Sequence, residues 1–539
     1  MTPEGLYEQV LLASGGAGLP ACRPPRASAS IVLWRRSPEL EVFWIERGRA
    51  LPFMGGWHAF PGGAVERSDA ALPVAGAPHG ASAASTTQPS PDPADATTVP
   101  DLIPGLAAAA LRELAEETGV FLLDRPVSRA SRHYHREKIP LGERTDWAGS
   151  LAALGASLDA SRLEFAGRWL TPPFSPLRFD NRFFLCEWRP TDGAASAIPP
   201  ENESGEWIAP AVALARIASG AVLVAPPIEH ILRVLAESGP VGGIARLVDT
   251  SAADWGPFRR IELRPGIAIF PLAAATLPPA THTNAFLLGH GECVLVDPGS
   301  PYPEVNEKLL AALAAARAAT GRRVVEIWLS HHHPDHVAGV EPLRRALGAP
   351  IAAHAATAER LAAKGIAVDR FLSDGERLRL AGDPGLELRL HATPGHARGH
   401  LAIEVPRRLA DGSPAASDLL VFDLVAAAST IVIDPPEGNM DDFLASLAAM
   451  AALAPRTLFM SHGGALLDGA AKLAEVHAHR LERERQVLAA WTDGLRTPAE
   501  ILPRVYPDVP AMVHPLAERQ IRAHLERLAR LGQLGEIAG

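Results

Sequence analysis

The stretch that most restricts how this chain can fold is Ser330 to His336, SHHHPDH, directly after the apolar run VVEIWLS. Ligands for a borderline-soft divalent ion must bring neutral imidazoles and carboxylates to within about 2.0–2.2 Å of it. A loop at a strand end can aim His331 and His333 at one ion, and Asp335 with His336 at a second. Three further candidates have the same setting. His396 lies in TPGHARGH after ELRLHA, Asp423 ends LLVFD, and His462 stands in SHGG after TLFM. Each follows a short apolar run, so the fold is expected to gather these side chains at one rim of a sheet. His400 is expected to hydrogen-bond around the ligands, as such sites require. His332 and His354 receive no role.

Around this cluster strand and helix alternate to about residue 470, the signature of layered α/β packing. LLGHGECVLVDPG reads as a hairpin around His290-Gly291. The last part, roughly 478–539, is almost wholly helical, and Ile521, Leu525, Leu528 and Leu531 are expected on one face. Upstream, IVLWRRSPELEVFWIER predicts two strands about a Ser37-Pro38 turn, and LAAAALRELAEETGVFLL a helix and then a strand. Residues 70 to about 104 are rich in Ala, Ser, Thr and Pro with no hydrophobic period, and are expected to be a flexible insertion.

That pattern needs several domains, and 539 residues supply two to four at roughly 100–200 residues each. A formal net charge of −10 opposes a chain whose main task is to coat nucleic acid. Three scattered cysteines, Cys22, Cys186 and Cys293, form neither a disulfide framework nor a cysteine zinc site. No apolar run is long enough to predict a spanning helix, and MTPEGLYEQVLL predicts no secretory signal. The expectation is a cytoplasmic protein without a membrane partner.

A second cluster lies in the first half. Glu113, Glu116 and Glu117 stand at i, i+3 and i+4, on one helix face, where like charges destabilise unless a cation sits among them. Hard oxygen ligands suit Mg²⁺ or Mn²⁺, which in turn grip a diphosphate. Glu203, in ENESGEW, is a candidate further base.

Residues 261 to the C-terminus resemble the metallo-β-lactamase fold hydrolases, particularly the glyoxalase II and β-lactamase-like protein 2 branch, through His331, His333, Asp335 and His336 as HxHxDH. The resemblance implies one zinc or other divalent ion on His331, His333 and His396, and a second on Asp335, His336 and His462. Asp423 would bridge them, Asp335 would also count as catalytic, and Asp297 in VLVDPG would brace the ligand loop. Val421-Phe422 replaces the usual Thr-Gly before the bridging aspartate, and Leu424 a common histidine after it.

FPGGAVERSD together with Arg112 to Val120 resembles the Nudix box, split between Asp69 and the helix, with Asp69 in place of the first glutamate. The surrounding FMGGWHAFPGG and RFDNRFFL resemble peroxisomal coenzyme A diphosphatases. This implies that Glu113, Glu116 and Glu117 hold Mg²⁺ or Mn²⁺, with Glu116 and Glu117 catalytic and Arg112 orienting them. The implied architecture is α/β and α+β multidomain. It comprises an arm (1–26), a Nudix-like αβα sandwich (27–240), an αββα metallo-β-lactamase fold (256–477) and a winged-helix-like helical appendage (478–539).

The implied function is a bifunctional metal-dependent hydrolase acting on a small molecule such as an acyl-coenzyme A or nucleotide diphosphate. The alternative is a ribonuclease of the same fold whose Nudix-like domain senses a nucleotide. In 471–539 only Trp491 and Tyr506 offer stacking surfaces, thin support for RNA.

Overall fold

The computed structural model describes residues 24–49, 51, 54–80, 105–125, 146–172, 175, 177–250, 253–277, 280–408, 412–426 and 430–534. They divide into two units, the described residues up to Arg264 and those from Pro265 onward. The N-terminal arm up to residue 23 and residues 81–104 of the expected insertion lie outside the described residues.

In the first unit, β1 (Arg26–Arg36) and β2 (Leu40–Arg47) pair antiparallel across the Ser37-Pro38 turn, with Trp34 opposite Val42. Their alternation divides the side chains between two cores, as a sheet with a period of two requires. Ile31, Leu33, Phe43 and Ile45 pack with Leu111 and Leu114 of α1 (Leu106–Thr118). Val32, Val42 and Trp44 face the other way, onto Ile217 and Leu232 of the helices α3 (Pro210–Ser219) and α4 (Pro226–Gly242). The result is a sheet between two helical layers. Its order is β3 (His58–Ala59), β2, β1, β6 (Phe179–Glu187), β5 (Glu164–Leu170), with β4 (Gly62–Ala64) on β1 and β7 (Asn202–Ile208) on β2. Helix α1 ends at Gly119, whose φ of +70° suits a residue without Cβ.

Two expectations need correction here. The strand expected after α1 reduces to a single bridge between Leu123 and Leu158. The start of the expected insertion is built into the fold, because Val74–Ala75 pairs with Leu158–Asp159, and His79 exchanges backbone hydrogen bonds with Leu163 and Phe165. Backbone pairing supplied from distant strands leaves no hydrophobic period to read.

In the second unit one sheet runs β8 (Ile267–Ala273), β9 (His282–Leu288), β10 (Glu292–Val296), β11 (Arg323–Leu329), β12 (Ile351–His354), β13 (Arg370–Leu372). The other runs β14 (Arg377–Leu380), β15 (Leu386–Ala392), β16 (Leu401–Arg408), β17 (Pro414–Phe422), β18 (Thr457–Met460), β19 (Leu466–Leu467). The hairpin about His290-Gly291 is the β9–β10 pair. Phe286 of β9 meets Phe422 and Phe459 edge-on at 5.8 and 6.3 Å, joining the two sheets face to face. Leu419, Val421, Leu458 and Met460 point outward onto Phe443 and Leu447 of α8 (Met440–Ala452) and Leu473 of α9 (Gly469–Thr492). On the opposite face lie α5 (Pro303–Thr320) and α6 (Val340–Leu347). This is the αββα layering. Beyond it, α9, α10 (Pro498–Val505) and α11 (His514–Arg530) close a small core of Val487, Ile501, Ile521, Leu525 and Leu528. Leu531, expected on the same face, falls after the end of α11 and is exposed.

Candidate metal centre

Strands β10 and β11 are parallel, and so are β17 and β18, so their C-terminal ends reach the loops that carry Asp297, His331, Asp423 and His462. The side chains singled out by spacing converge there. His331, His333, His396 and Asp423 form one group and Asp335, His336 and His462 another, the ligand atoms of each lying within 4.8 Å of one another. Asp423 stands between the groups. Its Oδ2 is 3.5 Å from Nε2 of both His336 and His396, and its Oδ1 is 3.6 Å from Nε2 of His462.

The donor set fits divalent cations, as the commitment of its protons shows. His331 Nδ1 lies 3.0 Å from Ser330 Oγ, which itself donates to Asp297. His336 Nδ1 donates to Asp297 Oδ2 at 2.9 Å. His396 Nδ1 donates to the Val432 carbonyl at 2.8 Å, and His462 Nδ1 to that of His282 at 3.0 Å. A neutral imidazole has one N–H, so each of these rings, in its neutral form, turns a bare Nε2 inward. Nε2 of His331 and of His396 each lie 2.9 Å from Nδ1 of His333. Three ring nitrogens at such separations need a cation or a shared proton between them. His336 Nε2 and Asp423 Oδ1 are buried without a hydrogen-bond partner, an arrangement that is costly unless an ion satisfies it.

Charge follows position. Burial, and then the neighbouring rings, hold His331 and His333 well below the ordinary imidazole value. Burial alone would lower His336 and His462 too, but Asp423 and Asp335 raise both. Burial would raise Asp423, yet His336 and His462 hold it well below the usual carboxylate range. Asp297 accepts from Ser330 N at 2.7 Å, Ser330 Oγ at 2.6 Å and His336 Nδ1, so it braces the ligand loop instead of lining the donor set.

Phe422 occupies the position where the resemblance has glycine, and keeps the backbone it requires, with φ of +44°. Its ring is wholly buried, turned toward Phe286 and 6.4 Å from His400. The buried His400 shares a hydrogen bond between Nδ1 and Thr393 Oγ1 at 2.7 Å, and its ring lies tilted 5.3 Å from that of His331, while burial pushes it down to about 3. His354 caps the helix Ala355–Ala362 by accepting from Ala356 N. Two contributors escaped sequence reasoning. Thr283 donates to Asp335 at 3.3 Å, and Val432 acts through its carbonyl, which no residue identity reveals.

The carboxylate helix of the first unit is arranged differently. Buried Arg112 forks onto Asp69, with Nε to Oδ1 at 2.7 Å and Nη2 to Oδ2 at 3.1 Å. Its Nη1 reaches Glu113 at 3.0 Å and Glu116 at 2.7 Å. Trp147 Nε1 donates to the other oxygen of Glu116 at 2.7 Å, and Gly62 N donates to Glu117 at 2.8 Å. Among the described residues these three glutamates are not gathered into a cluster like the two above; Arg112 and Trp147 hold Glu116. Burial pushes Glu113 up to about 7 and Glu117 to about 8, with Arg112 opposing the rise at Glu113. Glu203 is exposed and accepts from Arg49 N; Glu201 is the neighbour whose charge acts on both Glu113 and Glu117. Two positions at the start of β7 separate them, and spacing alone does not resolve the choice.

Comparison with known proteins agrees with the second unit. The metallo-beta-lactamase superfamily model matches residues 278–462, and that of the beta-lactamase associated winged helix domain residues 497–537. Hydroxyacylglutathione hydrolase of Fuscovulum blasticum is 34% identical over 205 residues, covering 37% of this chain and 69% of that protein. The hydroxyacylglutathione hydrolase of Cereibacter sphaeroides (strain ATCC 17025) is 38% identical over 135 residues, 24% of this chain. The chain spans about half of that relative's length, 47%. A NUDIX hydrolase structure from Alicyclobacillus acidocaldarius is 29% identical, with a TM-score of 0.32, covering 40% of this chain and 93% of that one. Among the described residues no helix is long and apolar enough to cross a membrane. With its histidine-aspartate rim, its two facing sheets and a winged-helix domain after them, this chain belongs to the metallo-beta-lactamase superfamily.

Proposed function

We propose that the second unit is a binuclear metal-dependent hydrolase of a small-molecule thioester or ester, similar in chemistry to the hydroxyacylglutathione hydrolases it resembles. The observation that carries this reading is the set of bare Nε2 atoms facing Asp423 with every outer nitrogen committed elsewhere. Two divalent cations at these donors would supply Lewis acidity and a water deprotonated near neutral pH. His331, His333 and His396 would hold one ion, Asp335, His336 and His462 the other, and Asp423 both. The chain's own part is to keep these groups in the right protonation state. Burial keeps His331 and His333 neutral, and Asp297 holds the His336 proton on Nδ1. Ser330, beside the donors, gives its proton to Asp297 and has no free base to make it a nucleophile.

For the first unit we propose a Nudix-like diphosphate hydrolase that takes coenzyme A or a nucleotide-diphosphate derivative, with Mg²⁺ or Mn²⁺ at Glu113, Glu116 and Glu117. Its support is the pair of buried carboxylates, Glu113 and Glu117, whose proton affinity is raised first by burial and then by neighbouring glutamates, a combination that a divalent cation would relieve. Asp69, standing where the box has its first glutamate, braces Arg112 through both carboxylate oxygens. Coenzyme A thioesters carry both bonds in one molecule, which would give the two units a common substrate.

The ribonuclease alternative gains nothing from the appended helices. Arg480 binds a carbonyl, while Arg519, Arg527 and Arg530 pair with carboxylates inside the same unit. The experiment is product identification by mass spectrometry after incubation with an acyl-coenzyme A, and separately an acylglutathione, in Zn²⁺ and Mg²⁺. Free thiol plus acid, lost in Asp423→Ala, supports the thioesterase. Phosphopantetheine species plus adenosine bisphosphate, lost in Glu117→Gln, support the diphosphatase. If neither appears with either substrate, both readings fail.

A further inference from the structure

Residues 430–439 belong to no helix or strand, so contacts from other elements help to fix their path. Three come from the C-terminal helices. Arg480 of α9 donates from Nη2 to the Ile431 carbonyl, its guanidinium buried over the Phe443 ring at 5.2 Å. Gln520 of α11, 3% exposed, accepts from Ile433 N at 3.0 Å. Arg519 of α11 pairs with Asp434. Residues 431, 433 and 434 are therefore held by α9 and α11, while the carbonyl of Val432, between them, accepts from His396 Nδ1. The side chains of Ile431 and Ile433 add to the grip, packing in one core with Leu473 and Ala523. Gln520 and Arg480 spend buried polar groups on main-chain atoms, a use that a purely hydrophobic contact between domains would not need.

We propose that Gln520 and Arg480 are positioning residues for His396. By holding the backbone on both sides of Val432, they fix the carbonyl that sets the ring's tautomer and aim. The appended helices are then part of the metal centre, although no side chain of theirs enters the donor set. The proposal rests on His396 being a metal ligand, as read above. Outer hydrogen bonds of this kind change metal affinity by about 10–100-fold when removed.

The test is titration of the metal-free full chain with Co²⁺ against a chromophoric chelator, resolving the equivalents bound in the second unit and recording the cobalt absorption bands. His396→Ala identifies the equivalent that depends on this ligand; if it leaves every equivalent at wild-type affinity, the ligand reading itself is wrong. Given a weakened equivalent in that control, Gln520→Met should weaken the same one about 10–100-fold and shift its bands. The other equivalent should keep its affinity, and Gln520→Glu, which keeps the acceptor, should restore the first. Wild-type affinity in Gln520→Met, or equal loss of both equivalents, overturns the proposal. Arg519→Met, at a partly exposed pair, provides a second variant expected to fold. Its loss should be about two- to fivefold and confined to the same equivalent; no selective loss there counts against the proposal even if Gln520→Met is insoluble.

Discussion

At Phe422 the chain keeps a bulky residue in a backbone conformation that favours glycine, and comparing alanine with glycine there separates the two contributions. Deleting a buried phenylalanine ring costs about 3–5 kcal/mol, and Phe422 is wholly buried toward Phe286 and His400. Phe422→Ala loses the ring and retains the strain of a Cβ at φ +44°. Phe422→Gly loses the same ring but relieves about 1–2 kcal/mol of left-handed strain, against the usual glycine penalty of about 0.5–1 kcal/mol relative to alanine. The glycine variant should thus exceed the alanine variant in stability by about 0.5–1 kcal/mol, while both fall below wild type by about 2–5 kcal/mol. Because the chain has two units, the assay should report on this one alone: urea dependence of hydrogen exchange at the β16–β18 amides, in metal-free protein. Alanine equal to or better than glycine would refute the claim that Phe422 is held at an energetic cost by packing between the sheets.

Asp297→Asn should reduce zinc affinity about 10–100-fold at the site containing His336, because the acceptor that fixes its ring is altered; chelator competition measures it. Asp69→Glu, although it restores the Nudix pattern, should destabilise the first unit by about 1–3 kcal/mol. Asp69 is wholly buried and bonded to Arg112, so an added methylene must displace that contact, and thermal unfolding against wild type would show it. Glu117 titrates near 8 in the folded protein against an ordinary 4.5, so its contribution to stability is full below about 4.5 and is lost as pH rises through 8. In metal-free protein, Glu117→Gln should therefore gain on wild type steadily from pH 5 to 8, and Mg²⁺ should narrow the gap. A pH-independent difference would contradict that assignment.

Spacing alone named the seven side chains that converge at the candidate metal centre. Ligating residue types must follow strand ends to converge, and short apolar runs before His331, His396, Asp423 and His462 are visible in one dimension. The same holds for the two strands about the Ser37-Pro38 turn, and for the helix carrying Glu113, Glu116 and Glu117. Tertiary structure decided what those residues do. Only packing shows that Arg112 and Trp147 already hold Glu116, that Glu201 replaces Glu203 as the neighbour of the other two glutamates, and that Phe422 turns into the intersheet core. Residues 74–79 take their order from strands more than eighty positions away, beyond any local period. Least legible was the Val432 carbonyl. A backbone acceptor has no residue identity, and its place is set by helices α9 and α11, which meet it only once the chain has folded.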